Sequence, residues 1–275
     1  MLDCGPCPPT GTDYRALHCV DASADRGTAD KGTPVDSVPP DKGPPPGTKL
    51  IYRVTYEKGT TAADVGETTA EQMSGGSITV AQNPKKDAHN GSNKVGRHTV
   101  PSGYARAELS SQRLPIVNKT YSYRWSYYIP SAFFGGTITW NLIGQWKTWP
   151  CGDHDGYDKE ICGSCGIFND LEVTKTNFQF QYRAEPDCYT ASAAMETDKW
   201  VTFVMVIKWT NSSTGFVKLW KNDQLLYDKQ GFKTLYDNHK PGECDLYWAV
   251  GVYSQTQGGL ELYTDNIEIW EGSIK

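Results

Sequence analysis

Tyr247-Trp248-Ala249-Val250-Gly251-Val252-Tyr253-Ser254-Gln255 reads as a strand with two different faces. Successive side chains of an extended chain point to opposite sides. Tyr247, Gly251, Tyr253 and Gln255 therefore share one face, and Trp248, Val250 and Val252 share the other. One face is apolar enough for a core, while the other carries phenols and an amide. A glycine inside such a run marks a bulge or the close approach of another group, and here Gly251 is expected to leave space for a ligand.

Outward from this stretch the same grammar repeats. Short alternating runs, bounded by Gly, Asn, Asp and Pro, occur at Leu50–Tyr56, Ala105–Ser110, Tyr121–Ile129, Thr137–Trp146, Asn177–Arg183, Trp200–Trp209, Gly215–Trp220 and Gly259–Trp270. Only Thr61–Met73 has helical composition. Many short strands without helix–strand alternation or a repeat period predict an all-β domain of two antiparallel sheets packed face to face, a sandwich or jelly roll. Such a sheet leaves one face available to an extended ligand, for which a polysaccharide is a natural guest.

The 275 residues divide unequally. Residues 1–48 hold 9 of the 16 prolines and a single aromatic, Tyr14, too little apolar surface to offset the entropy of ordering. They read as a Cys/Pro-rich N-terminal extension whose last part, Val38–Lys49, is a semi-extended linker; residues 49–275 form the folded domain. Cys4, Cys7 and Cys19 lie in the extension, and Cys151, Cys162, Cys165, Cys188 and Cys244 beyond it. If all eight pair, an odd number of disulfides must tie extension to domain, with the connectivity open. Cys162-Gly-Ser-Cys165 lacks the second cysteine knuckle that a zinc site needs.

The net charge of -5 excludes the uniformly basic coat that supports non-specific nucleic-acid binding. No apolar run approaches the roughly 18 residues of a membrane-spanning helix, so neither nucleic acid nor membrane is an expected partner. The start Met1-Leu2-Asp3-Cys4 is no signal peptide, but eight cysteines and the sequons at Asn90, Asn118 and Asn211 fit a secreted protein whose leader is absent from this chain. The domain is expected to be a monomer.

Two further stretches carry polar residues on one face of a strand. In Tyr104-Ala105-Arg106-Ala107-Glu108-Leu109, the period of two places Tyr104, Arg106 and Glu108 together, and in Ile143-Gly144-Gln145-Trp146-Lys147 it places Gln145 with Lys147. Taken singly, each fits a solvated ion pair or a strand end leaving the core. Taken together, their order resembles the jelly-roll polysaccharide lyases, which include alginate lyases and the heparin-lyase-like and glucuronan-lyase-like groups. In alginate lyases the corresponding strands read Arg-x-Glu-Leu, Gln-Ile-His or Gln-Val-His, and Tyr-Phe-Lys-Ala-Gly-x-Tyr-x-Gln. Tyr121–Pro130 and Trp200–Asp223 look like the family's aromatic strand and its late hairpin. The resemblance covers roughly residues 50–272 and departs at two positions: Lys147 stands where the family has His, and Ala249 where it has Lys.

The resemblance implies a concanavalin-like β-jelly roll and cleavage of an anionic, uronate-containing polysaccharide by β-elimination. By the same token Arg106, Gln145, Lys147 and Tyr253 become the candidate catalytic residues, and Tyr104, Glu108, Arg124, Tyr247 and Gln255 the candidate substrate-binding residues. The chemistry suits these residue types. Removing the C5 proton beside a uronate carboxylate builds up negative charge, which preorganised donors such as Arg106 and Gln145 would stabilise. Tyr253 would take the proton and return one to the departing O4. A phenol titrates near 10 in water, and a nearby ammonium such as Lys147 would favour the phenolate; alternatively a desolvated Lys147 is itself the base. No cofactor is required for this chemistry, although Asp153, Asp155 and Asp158 form a crude Ca2+-like loop that could hold a structural cation. Two other readings fit the same fold: a carbohydrate-binding sandwich without chemistry, and a glycoside hydrolase pairing Glu108 with Glu172 or Glu261.

Overall fold

The computed structural model describes residues 19–21, 45–134, 137–148, 167–184, 187–235, 245–257 and 259–275. In chain order the strands are β1 (Cys19–Asp21), β2 (Lys49–Val54), β3 (Thr68–Ser74), β4 (Ser77–Gln82), β5 (Lys94–Val100), β6 (Gly103–Ser111), β7 (Lys119–Tyr128) and β8 (Thr137–Thr148). They continue with β9 (Ile167–Val173), β10 (Asn177–Ala184), β11 (Asp187–Ala194), β12 (Trp200–Trp209), β13 (Gly215–Lys221), β14 (Gln224–Phe232), β15 (Leu246–Gln257) and β16 (Leu260–Glu271). The only helical turn among the described residues is a 3-10 turn at Ser131–Phe134.

The strands form two sheets. The first runs β1-β11-β10-β9-β8-β15-β6-β3; the second runs β14-β13-β12-β7-β16-β5-β4, with β2 paired to β16. Every pairing is antiparallel except β1 with β11, which runs parallel and sets Cys19 opposite Cys188. The expected all-β sandwich is the architecture observed. Thr61–Met73, by contrast, is not helical: Thr68–Ser74 forms β3, the edge strand beside β6. Its helical composition is overridden because pairing along β6 satisfies its backbone groups on one side, and strand preference depends strongly on such context.

Alternation builds the core. On β7, Tyr121, Tyr123, Trp125 and Tyr127 point inward and are buried. They meet Trp146 of β8 and Trp248 of β15, which are register partners with stacked rings 5.7 Å apart. Trp125 packs edge-on against both, at 5.4 and 5.2 Å. These aromatic contacts lie directly behind the strands that carry the polar motifs, so the sheet backing the site has little freedom to flex.

Candidate active site

The outer face of the first sheet gathers the three polar motifs on adjacent strands. β15 lies between β6 and β8, with Tyr253 opposite Arg106, Gly251 opposite Glu108, Ala249 opposite both Ser110 and Gln145, and Tyr247 opposite Lys147. The residues between them, Ala105, Ala107, Leu109, Trp146, Trp248, Val250 and Val252, all belong to the buried core. Period two sorts chemistry from packing along β6, whereas on β8 a register shift between Leu142 and Gly144 puts Ile143 in the core although it shares parity with Gln145 and Lys147.

Glu108 is the hub. Its carboxylate is fully buried, accepting from the Gln145 amide at 2.9 and 2.8 Å and lying 3.3 Å from Nε of Arg106. Burial pushes its carboxyl above the usual range, opposed by the Arg106 guanidinium, the Gln145 amide and the Lys147 charge. β15 runs between Gln145 and Glu108, yet Ala249 and Gly251 are the residues it presents there. The alanine that replaces the family's lysine leaves no long side chain between amide and carboxylate.

Arg106 turns from Glu108 onto Tyr253. Its guanidinium carbon stands 3.9 Å from the centre of the phenol ring, a cation–π contact across a directly opposed strand pair. Arg106, Lys147 and Tyr253 are partly exposed, whereas Glu108, Gln145, Ala249 and Tyr247 are buried beneath them. Solvent therefore reaches the guanidinium, the lysine and the phenol before the amide or the carboxylate.

The register separates two residues that the sequence joins. Lys147 lies opposite Tyr247 but Tyr253 lies opposite Leu142, so about 16 Å of β8 lies between their positions. The cation over the Tyr253 ring is Arg106, and Lys147 acts instead on Glu108.

Arg124 is not brought to this site. It lies on β7 in the second sheet and pairs with Glu268, which also accepts from Arg53 and from the Trp270 indole. Its strand alternates Tyr123, Trp125 and Tyr127 inward, which turns Arg124 to the far side of the sandwich. Glu261, weighed as a hydrolase partner of Glu108, is also in the second sheet, paired with Arg97. Gly251 opens no space for a ligand: a Cβ there would come within 2.2 Å of the Ala107 carbonyl and 2.6 Å of Nδ1 of His98. Tyr104 and Gln255 are register partners at the end of β6 and β15, with side chains outside the described residues. Asp153, Asp155 and Asp158 lie outside them altogether. Among the described residues no group of three or more His, Cys, Asp or Glu is placed to hold a metal, and no helix is long and apolar enough to cross a membrane.

Two residues near the site escape the sequence reading. Asp170, buried on β9 directly opposite Gln145, sits in Ile167–Val173, where Asn169 and Asp170 interrupt the apolar pattern. His98 is fully buried on β5, a strand absent from the runs read in the sequence. Its signal was its parity with Gly96 and Val100, which places it on the inward face.

Comparisons with known proteins bear on the family and the fold. The sequence matches the family model described as polysaccharide lyase over residues 46–268. A search of curated protein sequences returns no match. Among solved structures, an endo-beta-1,4-glucuronan lyase from the fungus Trichoderma reesei superposes with a TM-score of 0.58 at 15% identity, covering 75% of this chain and 93% of that one. A carbohydrate esterase from the Shiga toxin-encoding bacteriophage phi24B gives a TM-score of 0.50 at 13% identity, covering 82% of this chain and 100% of that one. The alginate lyase AlyC3 gives 0.46 at 12% identity, covering 65% of this chain and 75% of that one. At these identities the likenesses concern the fold, whereas the family match extends over most of the sequence, and by it this chain belongs to the polysaccharide lyase family.

Proposed function

We propose that the protein is a secreted lyase that cleaves a uronate polysaccharide internally by β-elimination, with alginate or glucuronan as substrate. The observation that carries the reading is the partly exposed guanidinium of Arg106 held over the ring of Tyr253 and anchored by buried Glu108. A uronate needs a cation at its carboxylate and a proton-transfer group within reach of the same sugar, and this pair supplies both.

In the proposed step Arg106 binds the carboxylate next to C5 and stabilises the charge that develops there. Tyr253, as phenolate, takes the C5 proton. The electrons of the C5–H bond form the C4–C5 double bond, the C4–O4 bond breaks, and the proton passes from Tyr253 to O4, which leaves on the neighbouring sugar as a new reducing end. The phenolate is regenerated, so no oxidant or reductant is consumed. The family's imidazole is replaced here by Lys147, whose charge adds to the attraction for an anionic chain. Gln145, spent on Glu108 and buried, holds the carboxylate that orients Arg106 rather than meeting the substrate first. The fold shared with a glucuronan lyase supports the substrate class.

A panel of uronans followed by ultraviolet absorbance tests the reading, because the conjugated double bond absorbs and a hydrolase product does not. Tyr253→Phe is expected to abolish turnover while polymer binding persists. Arg106→Ala is expected to lower kcat/KM by roughly 100- to 1,000-fold. Full activity of Tyr253→Phe, or no absorbing product from any uronan, refutes it.

A further inference from the structure

His98 takes no part in the proposed step, yet a hydrogen-bonded chain runs through it from one sheet to the other. Tyr56 Oη is 2.9 Å from Thr264 Oγ1, Thr264 Oγ1 is 2.8 Å from His98 Nε2, and His98 Nδ1 is 2.9 Å from the Ala107 carbonyl oxygen. Ala107 is the inward-facing residue between Arg106 and Glu108.

The direction of this chain follows from what each group can do. A carbonyl only accepts, so Nδ1 of His98 carries the proton. Desolvation pushes the imidazole down to about 4, which leaves it neutral, and a neutral ring bearing Nδ1–H accepts at Nε2. Thr264 therefore donates to His98 and accepts from the Tyr56 hydroxyl. Donation runs one way, from Tyr56 to the backbone of β6.

The surroundings are shaped to admit this chain. At Gly251, whose φ is +146°, a Cβ would meet the Ala107 oxygen and His98 Nδ1; at Gly96 a Cβ would meet the Tyr56 ring at 2.4 to 2.7 Å. Tyr56 itself sits at φ 60°, a conformation that costs a bulky residue strain. Gly251 leaves room at the carbonyl end of the chain, and Gly96 leaves room for the strained tyrosine at its other end.

We propose that His98 is a positioning residue for the Arg106–Tyr253 site. By holding the peptide between Ala107 and Glu108 from inside the sandwich, it fixes the pleat of β6, and with it the aim of Arg106 over Tyr253 and of Glu108 toward Gln145. The proposal rests on the lyase reading for its catalytic consequence, but not for its structural one.

Three variants of the full chain separate this role from plain packing. His98→Asn keeps an N–H close to the Nδ1 position, His98→Gln moves the N–H toward the Nε2 position, and His98→Leu removes both. On whichever uronan the wild type cleaves, His98→Asn is expected to retain kcat within about three-fold, and the other two to lose roughly 10- to 100-fold in kcat with little change in KM, the penalty of a misaimed group. Isotope-edited nitrogen NMR reads the positioning without any substrate: His98 should show the Nδ1–H tautomer, and the Arg106 Nε–H signal should persist in wild type and His98→Asn and broaden or shift in His98→Gln. If His98→Leu does not fold, the Asn–Gln comparison still decides. A wild type inactive on every uronan sinks the lyase reading alone, because the NMR arm still reports on His98. Equal kcat losses in His98→Asn and His98→Gln, or an unchanged Arg106 signal in a folded His98→Gln, overturn the positioning role.

Discussion

Fully buried His98 sets a measurable pH dependence on stability. Its imidazole is held at about 4 in the fold, against an ordinary value of 6.5. As pH falls through 6.5 the unfolded chain takes up a proton that the folded protein refuses until about 4, so stability is complete above 6.5 and is lost across that window. Two and a half pH units correspond to roughly 3 kcal/mol. Asp265, pushed up to about 6 chiefly by burial, works the other way between 6 and 3.8, where protonation favours the folded state. The His98 share is therefore read by difference: urea midpoints at pH 7 and pH 4.5 should fall more in the wild type than in His98→Asn. Equal falls would mean that the imidazole is not desolvated in the native protein.

At the scale of the element, β15 decides the site, since it separates β6 from β8 and pairs with both. Its small residues Ala249 and Gly251 put no long side chain between the flanking strands, and its inward Trp248 stacks on Trp146 behind them. Trp248→Ala should cost about 3–5 kcal/mol in denaturant unfolding, as expected for a buried aromatic cut to a methyl group. A much smaller loss would show that the aromatic layer behind the site is not close-packed. β15 was legible from sequence because its alternation is strong. β3, at the sheet edge, was not, since an edge strand pairs on one side only. β5 was overlooked because Gly96, Arg97 and His98 dilute its apolar pattern, and the inward histidine there makes sense only once Thr264 and Ala107 are brought beside it.

At the scale of the whole molecule, the extension returns to the domain at one described place, where β1 adds to the edge of the first sheet and Cys19 faces Cys188. Neighbouring strands lie about 4.8 Å apart, within the Cα separation a disulfide spans. From this register we expect a Cys19–Cys188 bond, one of the odd number of cross-links required if all eight cysteines pair. Peptide mapping of the unreduced, alkylated protein should yield a fragment joining the two, and free thiols at both positions would exclude it. The acidic total of -5 coexists with a local pair of cations on the outer face, Arg106 and Lys147, which shows why net charge alone does not identify an anionic substrate.

The sequence by itself determined the all-β architecture and the grouping of Arg106 with Glu108 and of Gln145 with Lys147, because period two and composition are local properties of the chain. Only the tertiary structure decided which of these groups touch. It set Arg106 rather than Lys147 against Tyr253, turned Gln145 to Glu108, sent Arg124 to the opposite sheet and filled the space beside Gly251 with His98. Those outcomes depend on strand register and on which sheet each strand joins, and both are fixed by contacts between residues far apart in the chain.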